Sequence, residues 1–211
     1  DYDRWQEETG DINWNWNSIL KNFIRLENNE RINNDYHGNA GNLKVSDPGY
    51  IAKGSNLYIK TMQELGLPYN SDFNDGDQYG VGFMQYTIGN GKRCDVVSAF
   101  LNSIKKNKNI HINLNTVVTK ILIEKSKAVG VECISKDNKK KFFANDIILT
   151  AGALVTPKIL MHSGIGEEKQ LKKFNIDVIE NLKGVGKNLQ DHLMFRPVYK
   201  VKNLKSLNSK I

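Results

Sequence analysis

Cysteine is scarce: Cys94 and Cys133 are the only two in 211 residues. They lie far apart, and neither belongs to a CxxC pair or sits beside a histidine. No disulfide framework and no thiolate metal cluster can be read from them. Reduced structural thiols in a cytoplasmic protein are the expectation, with a single disulfide left open. Long apolar runs are missing as well. No stretch approaches the ~20 residues of a membrane-spanning helix. Asp1-Tyr2-Asp3-Arg4-Trp5 has neither the basic region nor the apolar core of a signal peptide. The sequence begins without Met, so a further N-terminal part is expected upstream.

Complete chemical motifs are also lacking. A phosphate loop needs a glycine five residues before a Gly-Lys pair, followed by Ser or Thr. Gly91-Lys92 has Tyr86 there and Arg93 after it; Gly186-Lys187 has Asn181. A dinucleotide loop needs GxGxxG. The Gly-x-Gly triplets starting at Gly80, Gly89, Gly164 and Gly184 run into Gln85, Cys94, Lys169 and Leu189. A pyrophosphate-binding loop is therefore not expected in this chain. The histidines His37, His111, His162 and His192 show no metal-ligand spacing. His162 reads as a packed or surface residue, and Asp191-His192 as a pair that orders a loop. Asp72, Asp75 and Asp77 lack the spacing of a calcium loop. No GxSxG elbow occurs. No metal site and no catalytic residue is assigned.

What is present fits a soluble globular chain: 39% hydrophobic and 25% charged residues, with a net charge of +7. The lysines are scattered or form short runs, such as Lys105-Lys106 and Lys139-Lys140-Lys141. Such runs cover solvated turns and helix ends, so no nucleic-acid partner is expected.

The apolar spacing of Trp16, Ile19, Leu20, Phe23 and Ile24 predicts an amphipathic helix capped by Asn15 or Asn17. Leu43 and Val45 alternate with polar residues ahead of the turn Asp47-Pro48-Gly49. A second helix is predicted over residues 55–65, ended by Gly66. Residues 82–88 read as a strand leading into Gly89-Asn90-Gly91, and Asp95 caps the next helix. Alternation at Ile110, Ile112 and Leu114, continued by Val117, Val118, Ile121 and Ile123, opens a small β-meander. Residues 128–134 and 141–144 supply its other strands, with residues 135–140 as a polar turn. Residues 147–151 are apolar without alternation, the habit of a strand covered on both faces in a parallel sheet. Thr156-Pro157 opens a helix that ends at Ser163-Gly164. Another helix over about 167–174 leads to a short strand near Val178. These elements define an α/β chain with a mixed β-region.

Residues 152–166, Gly-Ala-Leu-Val-Thr-Pro-Lys-Ile-Leu-Met-His-Ser-Gly-Ile-Gly, resemble the second signature of the glucose–methanol–choline oxidoreductases at every fixed position. Other stretches agree in the family's order. They are Asp1 to Trp5, Tyr36-His37-Gly38, Val45 to Pro48, and Gly82, Gln85, Thr87, Gly91 and Arg93. Asp95 stands where the family usually has Ser, and both residues cap helices. Residues 184–192 are similar to a loop of the choline dehydrogenase branch.

The resemblance implies an internal fragment of an FAD-dependent oxidoreductase acting on a small-molecule alcohol. It implies part of a Rossmann-like FAD-binding domain plus part of an antiparallel-sheet substrate or cap domain. Residues 1–92 would be cap and substrate region, 93–190 the FAD-binding segment, and 191–211 a return to the substrate domain. Val118 matches the position whose backbone meets adenine; core packing is its other reading. Ala151 and Gly152 match the small residues at the strand end beside the cofactor; for Gly152 a tight turn is the other reading. The family's catalytic His lies near its C-terminus, beyond this chain, so this piece alone is expected to be inactive and His192 is not its base. A flavin lyase or photodecarboxylase on the same fold, or a cofactor-free protein binding an anionic partner, are the alternatives.

Overall fold

A computed structural model describes residues 1–200 and Lys202. The chain divides into two compact units. One comprises Asp1–Ile110, rejoined by Tyr199, and the other His111–Val198. Among the described residues, no helix is long and apolar enough to cross a membrane.

The first unit opens with α1 (Tyr2–Thr9), which Gly10 ends at φ 72°. A short turn leads to α2 (Trp16–Leu26), where the Asn15 side chain accepts a hydrogen bond from the Ser18 amide at 2.8 Å. Asn15, not Asn17, is thus the cap. The aromatic spacing draws both helices together: the Tyr2 ring stacks on Trp16 and meets Trp5 and Phe23 edge-on. Two short strands, β1 (Glu27–Asn29) and β2 (Leu43–Val45), pair in parallel. The loop between them is bonded back onto β1, from the Asn29 amide to the Gly38 carbonyl and from the Gly41 amide to the Glu27 carbonyl, both at 2.8 Å. The second predicted helix is α3 (Lys53–Glu64), with Gly66 just beyond it at φ 97°.

The strand predicted over residues 82–88 does not form as one piece. Val81 bridges Tyr69, Tyr86 bridges Ser46, and only β3 (Ile88–Gly89) pairs with β4 (Lys92–Arg93). The run changes partners along its length, so no continuous ladder can build. Between β3 and β4, Asn90 and Gly91 sit at φ 53° and 71°, the two-residue turn their sequence favours. Asp95 then accepts from the Ser98 amide and hydroxyl, both at 2.7 Å. These bonds, the amide first, hold its carboxyl below the usual range. The helix it caps is a π-turn over Val97–Leu101 that runs into α4 (Asn102–Ile104).

In the second unit the meander is β5 (Val117–Glu124), β6 (Lys127–Ser135) and β7 (Asn138–Phe143), antiparallel in sequence order. Ile112 and Leu114 remain outside it, 51% and 76% exposed. Their alternation finds no pairing partner. The turn predicted over residues 135–140 contracts to Lys136 and Asp137, both at positive φ. The ladder therefore continues through Lys139, Lys140 and Lys141, and the lysine run lies on a strand.

Residues 147–151 are not a strand. No strand among the described residues pairs with them, and Ile148 is 84% exposed. A parallel strand exists only through its neighbours' hydrogen bonds. The following helix, α5 (Gly152–His162), starts four residues before Thr156 and holds Pro157 inside it. Ala153, Leu154 and Val155 contain no helix breaker, so the helix extends upstream; the cost is an Ala153 carbonyl without its i+4 donor. Then β8 (Ile165–Gly166), α6 (Glu168–Lys173) and β9 (Glu180–Asn181) make a small parallel crossover. Leu171 is 1% exposed beneath it.

Candidate functional site

The three residues matched to cofactor contacts all lie in the second unit. Val118 is half-buried on β5, opposite Cys133. Ala151 and Gly152 are exposed at the start of α5. Gly152 has φ 85°, and a methyl group there would meet nothing within 4 Å. Glycine is therefore required by the backbone angle, while the space in front of it is open. No side chain caps the first amides of α5. The opposite end of α5 is the end docked on the meander. There the buried Ser163 hydroxyl accepts from the Ile121 amide at 2.8 Å and donates to the Ile159 carbonyl at 2.6 Å. With α5 spanning about 16 Å, Ala151 and Gly152 stand together at one end. No hydrogen bond among the described residues joins them to Val118.

Both cysteines are free and buried. Burial, helped by the Glu132 charge, pushes the Cys133 thiol up. His162 is exposed on the rim of an open cleft of about 480 Å³, shared with Lys120, Asn175 and Asp177. Asp191 does not bond the His192 ring. It accepts from the His192 backbone amide at 2.8 Å, and both residues are exposed.

The first unit holds a buried polar network that sequence spacing did not reveal. His37 is 4% exposed. Its Nδ1 lies 2.9 Å from Glu27 Oε2 and its Nε2 lies 3.1 Å from Asp72 Oδ2. Glu27 also accepts from the Gly38 amide and the Asn29 side chain. Asn29, 3% exposed, pairs its amide with that of Gln85. Gln85 in turn donates to Asp47 at 2.9 Å. Burial pushes the Asp47 carboxyl up, but bonds from Arg31 and Gln85 outweigh it, and the group sits below the usual range. The partners of His37 are 10 and 35 residues away, separations that no local pattern announces. Its one signal was the family-like Tyr36-His37-Gly38. The network fastens the loop between β1 and β2 to residues 70–72 and 85.

A mixed α/β chain with a meander and an open, glycine-started helix matches the architecture of flavin-dependent oxidoreductases. An FAD-dependent oxidoreductase from Chaetomium thermophilum superimposes with a TM-score of 0.78 and 31% identity, over 87% of this chain and 34% of that one. The GMC oxidoreductase family model matches residues 1–194, and the chain belongs to that family. It is 38% identical over 197 residues to an alcohol dehydrogenase [acceptor] from Pseudomonas putida, across 92% of this chain and 36% of the relative. It is 34% identical over 194 residues to the mitochondrial choline dehydrogenase of Mus musculus, across 92% and 32%. The chain thus spans about a third of the length of these relatives. The family is a flavoprotein family, consistent with the reading of residues 152–166.

Proposed function

We propose that the protein carrying this chain is an FAD-dependent oxidoreductase that oxidises the CH–OH group of a small alcohol, in the manner of its choline dehydrogenase-like relatives. The observation that carries this reading is the family-matching stretch 152–166. Its residues Gly152–His162 fold as a helix whose glycine start opens onto free space. That opening fits a cofactor: Ala151 and Gly152 present no bulk, and the helix start offers uncapped amides to an electronegative group. In this reading the Val118 backbone meets the adenine, while Ala151 and Gly152 let the cofactor approach the start of α5. The chemistry a bound FAD supplies is acceptance of hydride from the alcohol carbon. Residues of this chain position the cofactor and exclude water; the base that takes the alcohol proton is not among them. Residues 1–92 would serve the substrate region, 93–190 the FAD-binding domain, and 191–211 the substrate domain again. Most of residues 201–211 lies outside the described residues. The two buried thiols favour a reducing compartment, the cytoplasm.

The test is the purified full-length protein. It should stay yellow through gel filtration, and choline or another small alcohol should bleach the flavin under anaerobic conditions. Ala151→Leu, at an exposed position with φ -81°, should lower flavin content while leaving the far-ultraviolet circular dichroism unchanged. A colourless folded protein would overturn the cofactor assignment, and a yellow one that no alcohol bleaches would overturn the reaction. The 211-residue chain alone should show no turnover, because general base catalysis, ordinarily worth ~10²–10⁴ in rate, is missing from it.

A further inference from the structure

Among the described residues, one hydrogen bond joins the strand that carries Val118 to the helix segment that begins at Gly152. The Ile121 amide donates it to the Ser163 hydroxyl at 2.8 Å. Both residues are buried, at 7% and 5% exposure, and further chain can only deepen that burial. The hydroxyl proton goes to the Ile159 carbonyl at 2.6 Å, which leaves an oxygen lone pair for the Ile121 amide. That amide therefore points away from β6. Backbone direction alternates along an antiparallel strand, so Val118, three residues earlier, would ordinarily face the opposite edge. β5 departs from this alternation. Its register shifts between Val118 and Lys120, which pair with the adjacent residues Cys133 and Glu132. Thr119 is the inserted residue, and its hydroxyl donates to the Glu132 carbonyl at 3.1 Å. Such a bulge reverses the alternation. Val118 and Ile121 oppose Cys133 and Val131, which are two apart on β6. Both therefore turn their backbone groups to the edge of β5 where Ser163 binds.

We propose that Ser163 is a positioning residue for the cofactor: its bond to Ile121 sets the Val118 backbone toward the adenine and fixes the start of α5 relative to it. The role rests on the FAD reading of Val118, Ala151 and Gly152. From the clamp, Val118 lies about 10 Å along β5 and Gly152 about 16 Å along α5. A tilt at the clamp shifts one contact relative to the other and leaves the strand and the helix intact. A clamp that served stability alone would need neither the bulge nor Val118 on the same edge.

The experiment strips flavin from the full-length protein and titrates it with FAD and with flavin hypoxanthine dinucleotide, whose base carries a carbonyl in place of the adenine amine. The parent should prefer FAD by about fivefold to tenfold, the worth of one net hydrogen bond. Ser163→Ala should weaken FAD binding about tenfold and cut that preference to about twofold or less. Ser163→Cys fills the same space with a weaker acceptor, and it should lower the preference too if the alanine variant does not fold. Leu171→Val is the control: it loosens a buried residue of the same unit and should lower thermal stability without changing the preference. A parent that binds no FAD would overturn the cofactor reading, and this role with it. A parent that binds FAD while the Ser163 variants keep its affinity and preference would overturn the positioning role alone. So would a Leu171→Val protein whose preference falls as far as theirs.

Discussion

Replacing His37 by alanine removes the group that separates two buried carboxylates. The His37, Glu27 and Asp72 side chains are 5%, 16% and 11% exposed. Each ring nitrogen meets a carboxylate, at 2.9 and 3.1 Å. Deleting the hydrogen-bond partner of a buried group costs about 1–3 kcal/mol, more where the group left behind is charged. The carboxylates keep slight contact with water, and Glu27 retains its bonds from the Gly38 amide and Asn29 side chain. Two carboxylates each lose a bond, so ~3 kcal/mol is appropriate despite that remaining solvation. The cost falls where the loop closes on β1, so it should appear as local opening. Amide hydrogen exchange at Asn29 and Gly41, whose backbone bonds close that loop, should quicken about a hundredfold, as ~3 kcal/mol requires. A double-mutant cycle of His37→Ala with Asp72→Asn should give a coupling of about 1–3 kcal/mol. If exchange at these amides changes less than tenfold while the variant stays folded, the triad does not fasten the loop and the reasoning fails.

Gly38→Ala would place a methyl carbon 1.9 Å from the Ile24 carbonyl oxygen. Main chain must move, so a loss of at least about 1–3 kcal/mol is expected in urea unfolding. Gly49→Ala, with nothing within 4 Å, is the near-neutral control. Asp47 is held below its ordinary value of 3.8, so its contribution is complete above that value and is lost as pH falls through the lower folded value. Asp47→Asn should flatten the acid limb of the stability curve below pH 3.8 and leave its alkaline side unchanged. Because the side chain is 44% exposed, the effect should be small. A flattened alkaline limb would contradict it. Both thiols are buried, so an aromatic disulfide reagent should label neither in the native protein and both in denaturant. Rapid native labelling of Cys133 would refute its burial.

Local chemistry determined much of this protein from its sequence. Asn15 at the head of α2, Asp95 ahead of its helix, and Asn90-Gly91 between β3 and β4 each act within four residues, so sequence neighbours suffice to specify them. The long signature over residues 152–166 identified the family for the same reason: its residues are contiguous. Tertiary structure decided what depends on distant partners. Residues 147–151 have the composition of a covered strand, yet a strand requires a neighbour, and none among the described residues pairs with them. Within residues 82–88, Tyr86 pairs with Ser46 and Ile88 with Arg93. Lys139 and Lys140 left the predicted turn for β7 because Lys136 and Asp137 complete it in two residues. The triad of His37 with Glu27 and Asp72 arises only when chain folding closes separations of 10 and 35 residues. Hydrogen bonds to immediate neighbours are encoded locally, whereas buried side-chain networks and sheet neighbours are fixed by where the rest of the chain lies.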